Sequence, residues 1–259
     1  MKAINSIDLN ADLGEFKTED EFNNEVELLQ LISSCNIACG GHIGDRSSIS
    51  RVIEQAEKFN VAIGMHPSYP DKLGFGRKPV VISDEELQES LYQQIDDFLT
   101  VASQHSILEP YHIKLHGQLY NDASKNRKLG EMILSIIQDF ELSLLIHLPF
   151  VGQCNSMLED VCKLHNHPFV AEAFVDRRYN PDLTLVQRSQ ADAMIDSVND
   201  QVLQAKQIVI DRSIIVDNRR VKIRADTLCI HGDHPGALTS LRALRSALEA
   251  EGIEIKYYD

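Results

Sequence analysis

Several blocks of this chain pair a short apolar run with side chains that can move protons or hold charge. DLNADLGE carries Asp8, Asn10, Asp12 and Glu15, and CNIACGGHIGD carries His42 and Asp45. GMHPSYPDKLGFGR carries His66, Tyr69, Asp71 and Arg77, and KLHGQLYN carries Lys114, His116, Tyr120 and Asn121. EAFVDRRYN adds Glu172, Asp176, Arg177, Arg178 and Tyr179, and CIHGDH adds His231, Asp233 and His234. Imidazole, carboxylate and amine together can take and return protons near neutral pH, particularly if confinement lowers the pKa of Lys114. Arg77, Lys114 and Arg177 could grip a carboxylate or a phosphate.

Other chemistries are weaker. Asp12, His42, His66 and His116 could bind a divalent metal, but no HExxH or similar spacing assigns a ligand set. Cys39 could act as a thiolate near His42, although a free cysteine is first a buried packing residue. Glycines 40, 41, 74 and 76 could cradle a phosphate, yet neither GxxxxGK[ST] nor GxGxxG occurs, so the chain has no local nucleotide motif.

Strands are predicted at 4–9, 36–39, 61–64, 111–115, 142–146, 169–174, 227–230 and 253–257, each a short apolar or alternating run. Between them fall helical stripes. One uses Ile49, Val52, Ile53, Ala56 and Phe59; a longer one from Leu87 to Ala102 opens on a capping box of Ser83 and Glu86. Others run from Leu129 to Phe140 and from Leu238 to Leu248, and short helices are expected at 25–32 and 157–162. Residues 181–224 read as a less regular insertion with a helix near 198–205 and a β-hairpin around Asp217 and Asn218. Alternating strand and helix implies parallel strands with helical crossovers, and this number of units favours closure into one barrel over residues 1–259. Every strand's carboxyl end then faces one mouth, where Asp12, His42, His66, Lys114, His116, Asp176, Arg177 and His231 would meet. His147, after the strand expected at 142–146, would make a fifth histidine at a strand end.

At 259 residues, 43% hydrophobic and 25% charged, the composition suits one large soluble domain. A formal charge of −14 argues against nucleic acid as partner. No leader-like N-terminus and no apolar run near the roughly 20 residues of a membrane span is seen, so no membrane partner and a cytoplasmic location are expected. Five cysteines, an odd number, fit reduced thiols.

In their order, DLNADLGE, CNIACGGHIGD, GMHPSYPDKLGFGRK, KLHGQLYN, EAFVDRRY and CIHGD resemble the signature blocks of the LamB/YcsF family of 5-oxoprolinase A subunits, over nearly the whole chain. The resemblance implies an irregular seven-stranded β/α barrel similar to the glycoside hydrolase/deacetylase superfamily. It also implies ATP-dependent opening of 5-oxoproline to L-glutamate in company with subunits B and C, with ATP handled at the level of that complex. On that reading Asp12 or His66 is the base for water, and His42, Lys114 and His116 stabilise charge or protonate the leaving nitrogen. Asn10, Asp45, Tyr69, Arg77, Asp176, Arg177, His231 and Asp233 then surround the substrate. A metal-dependent deacetylase or glycan hydrolase, and a non-catalytic regulatory scaffold, are the alternatives.

Overall fold

The computed structural model describes residues 6–105, 110–232 and 236–258, so the Asp233 position falls outside the described residues. The elements run β1 (Ser6–Leu13), α1 (Glu19–Leu29), β2 (Ser34–Ala38), α2 (Arg46–Phe59), β3 (Ala62–His66) and α3 (Asp84–Ala102). They continue as β4 (His112–Lys114), α4 (Gly117–Ala123), α5 (Arg127–Leu144), β5 (Phe150–Gln153), α6 (Met157–Leu164) and β6 (Phe169–Phe174). The chain ends with α7 (Val198–Val209), β7 (Ser213–Val216), β8 (Arg219–Lys222), β9 (Thr227–Cys229), α8 (Ala237–Ala250) and β10 (Glu254–Ile255). β1 to β6 pair in sequence order and in parallel, and β9 pairs with both β6 and β1, so seven strands close into the expected barrel. Residues 181–224 hold α7 and the antiparallel β7–β8 hairpin.

Helix starts follow their caps. Thr18 with Glu21, Asp45 with Ser48, and Ser83 with Glu86 form reciprocal capping boxes that satisfy the first free N–H groups of α1, α2 and α3. The outward faces of the strands (Leu9, Leu13, Ile37, Ile63, Ile113) pack on Ile49 and Ile53 of α2, Ile95 and Phe98 of α3, and Ile133 and Ile137 of α5.

The strand expected at 142–146 does not form. Helix α5 runs through Leu144, Leu145 ends it in the left-handed conformation, and the strand lies later, at Phe150–Gln153. The misleading leucines point to solvent, Leu142 at 78% and Leu145 at 87% exposure, so an apolar run here marks a helix end and not a buried strand. His147 therefore precedes β5 and lies away from the strand ends that make the mouth.

Barrel interiors of this type are commonly filled by layers of branched apolar side chains. This one is polar. Asp8, Asn10 and Asp12 of β1, Ser34 and Asn36 of β2, His112 and Lys114 of β4, Glu172 of β6 and Thr227 of β9 are linked by hydrogen bonds across the barrel. His112 reaches Asn36 Oδ1 at 2.7 Å by lying across β3 where Gly64 leaves room. A Cβ at Gly64 would come within 2.1 Å of the imidazole.

Gly64→Ala should therefore lower stability by about 1–3 kcal/mol, the usual cost of overpacking, and His112→Ala in that background should recover part of it. Chemical denaturation of the single and double variants checks this; a Gly64→Ala protein as stable as wild type would contradict the described packing.

Candidate functional site

The site is built upward from Lys114. Its Nζ lies 2.8 Å from Glu172 Oε1, 2.9 Å from Asp12 Oδ1 and 3.2 Å from Asn10 Oδ1. Burial disfavours the ammonium, but Asp12 and Glu172 more than offset it and hold Lys114 well above the usual lysine value. This corrects the expectation that confinement lowers it: the confining groups are anions. Asp12 also meets opposing effects, burial raising its pKa and His66 and Lys114 together taking it well below the usual carboxylate range. Asn36 Nδ2 donates to the same Asp12 oxygen at 2.9 Å.

Three imidazoles gather above Asp12. His66 Nδ1 donates to Lys114 O at 2.8 Å, which turns Nε2 toward Asp12 Oδ2 at 3.3 Å. His116 Nε2 donates to Phe75 O at 2.9 Å, and its Nδ1 lies 3.0 Å from His66 Nε2. His42 stacks flat on His116 with 3.6 Å between ring centres and reaches Glu15 Oε1 at 2.9 Å. Burial keeps His42 below its ordinary pKa and His116 well below it, so both favour the neutral form. Glu15 is brought in by a corner that Glu25 fixes, its carboxylate accepting from Gly14 N–H and Glu15 N–H at 2.7 and 2.9 Å.

A cavity of about 410 Å³ opens on this group. Asp12, His66, Lys114 and His116 line it together with Arg77, Arg177 and Arg188, and Tyr120, Phe174 and His231 also face it. Arg177 is pressed down to about 10 by burial and then by the like charge of Arg188, with Asp176 opposing, so it stays cationic at neutral pH. Arg77 lies over the Phe75 ring at 4.8 Å. His231 Nδ1 donates to Asp176 Oδ2 at 2.8 Å and its backbone N–H to the same oxygen at 3.1 Å, which leaves Nε2 as the unprotonated nitrogen of the neutral ring.

Among the expected site residues, Asp12, His66, Arg77, Lys114, His116, Arg177 and His231 thus share the cavity. His42 stands behind His116, Asn10 lies beneath in the barrel and Asp176 supports His231. Asp45 serves instead as the N-cap of α2. Tyr69 is buried with its hydroxyl on Asp122 Oδ2 at 3.0 Å, away from the cavity lining. Cys39 is buried, and burial pushes its thiol up to about 12, so it is a packing residue. All five cysteines are free. Glu15 and Glu172 stand in the sequence blocks without a role assigned to them; Asn36 and Arg188 give no signal there, the first inside an apolar run and the second in the irregular segment. No helix of the described residues is long and apolar enough to cross a membrane.

The LamB/YcsF family model matches residues 7–259. The 5-oxoprolinase A subunit of Bordetella pertussis is 38% identical over 252 residues, covering 97% of this chain and 98% of that protein. Its counterpart from Staphylococcus aureus is 36% identical over 251 residues, covering 96% and 98%. The crystal structure of a lactam utilization protein from Thermus thermophilus superposes with a TM-score of 0.88 at 32% identity, over 98% of this chain and 100% of that one.

Removing the central cation strands two buried carboxylates, so Lys114→Met should cost about 3–5 kcal/mol. The pH dependence has a definite sign. The depressed pKa of Asp12 gives stability that is present above about pH 4 and lost only as pH falls through the lower folded value; the raised pKa of Lys114 gives stability present below about pH 10 and lost only above that. Both contributions are intact from about pH 5 to about pH 9 in the wild type. Without Lys114, Asp12 loses a cation that favours ionisation, so the deficit of the variant should be larger near pH 8 than near pH 5 in denaturant titrations. A pH-independent deficit below about 1 kcal/mol, the scale of an exposed pair, would contradict the buried network.

Proposed function

The chain belongs to the LamB/YcsF family, and from that premise we propose that it is the A component of an ATP-dependent 5-oxoprolinase, a hydrolase that opens the cyclic amide 5-oxoproline to L-glutamate. The observation that carries the reading is a single cavity lined both by guanidinium groups and by carboxylate and imidazole groups. 5-Oxoproline has two faces to match: a carboxylate that suits Arg77 and Arg177, and a lactam carbonyl that must meet water. The names of the Bordetella and Staphylococcus relatives fit the same substrate.

A lactam is a resonance-stabilised amide, and water attacks it slowly. Transfer of the γ-phosphoryl group of ATP to the carbonyl oxygen, with ADP leaving, makes the ring carbon electrophilic. Water then adds at that carbon and the ring C–N bond breaks to leave an acyl phosphate, which a second water cleaves to phosphate and the new carboxylate. With no local nucleotide motif in this chain, ATP is handled together with the B and C subunits. The wall of Asp12, His66 and His116 positions the water. His231 Nε2, oriented by Asp176, takes a proton from the water and returns it to the departing ring nitrogen. Lys114 stays charged and holds Asp12 in place; it does not exchange the proton.

Glutamate release from 5-oxoproline and ATP should require this chain together with B and C subunits. In that assay His231→Gln should lower kcat by about 10²–10⁴-fold, the usual worth of general acid–base catalysis. Arg177→Gln should raise KM by about 10–100-fold, the worth of a charge-assisted hydrogen bond, with less effect on kcat. Full activity in both variants would exclude the cavity as the reaction site.

A further inference from the structure

We infer that Asp12, His66 and His116, whose ligand atoms lie within 4.8 Å of one another, hold a divalent metal ion at the mouth of the barrel. The protons at these atoms can be counted. A carbonyl oxygen only accepts, so His66 Nδ1 beside Lys114 O and His116 Nε2 beside Phe75 O each carry a hydrogen. A neutral imidazole has one N–H, so the remaining nitrogens, His66 Nε2 and His116 Nδ1, present lone pairs to each other at 3.0 Å. Asp12 Oδ2 lies 3.3 Å from the first and Glu15 Oε1 3.5 Å from the second. With both rings neutral, Asp12, His66 and His116 bring three acceptor atoms together with no donor between them.

An extra proton on one ring would join one pair; a cation among them meets all three. The spacing fits an ion. Ligand atoms about 2.1 Å from a metal stand about 3.0 Å apart at right angles and about 3.4 Å apart at tetrahedral angles, a range that holds the observed 3.0 and 3.3 Å. The planes of His66 and His116 stand at 86° and meet at a corner. His42 is different. Its ring is parallel to His116 within 2°, so its lone pair runs beside that of His116 and not toward the same point. The Ser68 hydroxyl at His42 Nδ1 can donate or accept, which lets His42 donate through Nε2 to Glu15 and orient it.

The outer contacts are those that metal-binding side chains need. Each ligand imidazole is fixed by a carbonyl on its far nitrogen, and the other Asp12 oxygen is occupied by Lys114 and Asn36. Two imidazoles with one carboxylate suit a first-row divalent ion such as zinc, manganese, iron or cobalt, and the ion's charge offsets that of Asp12. Asp12, His66 and His116 all line the cavity, so the ion has an open side. This metal site goes beyond the ring-opening reading and stands without it, because the proton count uses no substrate.

The test is titration of the chelator-stripped full chain with Zn2+ by calorimetry and with Co2+ by visible absorption. One equivalent of each should bind, with cobalt bands of a site containing nitrogen ligands. His66→Gln and His116→Gln should each weaken binding by at least about 10-fold, since even outer-shell changes cost that much, and His165→Gln, at an exposed position, should not. Circular dichroism confirms that the variants fold; if one does not, Asp12→Asn replaces it, and it too should weaken binding. Absence of stoichiometric binding by the wild-type chain, or binding that none of the ligand substitutions weakens, overturns the inference and leaves a shared proton between the rings.

Discussion

One ammonium group determines how the barrel interior can be arranged. Lys114 reaches from β4 to Asp12 on β1 and Glu172 on β6, strands far apart in the chain, and its nitrogen lies 2.9 and 2.8 Å from their carboxylates. Two anions facing each other in a closed barrel would be costly, and so would a lone buried amine. With the amides of Asn10 and Asn36 they form one hydrogen-bonded network. The cost of desolvating these charges is offset by geometry, which strands supply better than loops.

From that fixed point the site follows. With one oxygen of Asp12 held by Lys114 and Asn36, the other is turned to the mouth, where His66 meets it. His66 is itself oriented by the carbonyl of Lys114, so the same residue sets the acid and the imidazole through two different atoms. His116 and His42 then stack behind, and the loop carrying Phe75 closes over them by accepting from His116. Arg77, Arg177 and Arg188 line the same cavity and gather positive charge that a bound anion would relieve. A rigid, polar floor under a charged cavity fits a small anionic ligand better than a macromolecule.

Much of this is legible in the sequence, and the failures have physical causes. The barrel can be read because its strands are short and its helices carry capping boxes and apolar stripes; Ser83 with Glu86 starts α3 where its pattern says. The fifth strand is misplaced by sequence because Leu142, Leu144 and Leu145 look like core and lie on the exposed end of a helix. Helix α4 has too few turns to show a period. Asn36 and His112 give no signal, since strands buried on both faces hide which residues point inward. The direction of the Lys114 shift is out of reach for another reason: burial and nearby anions act oppositely, and only distances decide between them. Asp45 and Tyr69 sit in the right blocks, yet capping and a hydroxyl contact to Asp122 employ them elsewhere.

The central claim is that Lys114 is a permanent cation inside the barrel. Heteronuclear NMR of the 13Cε and 15Nζ nuclei of Lys114, assigned by comparison with Lys114→Met, measures it directly. An ammonium signal that does not titrate up to about pH 10 is expected; a midpoint below about 9, under the ordinary lysine value of about 10.4, would contradict it.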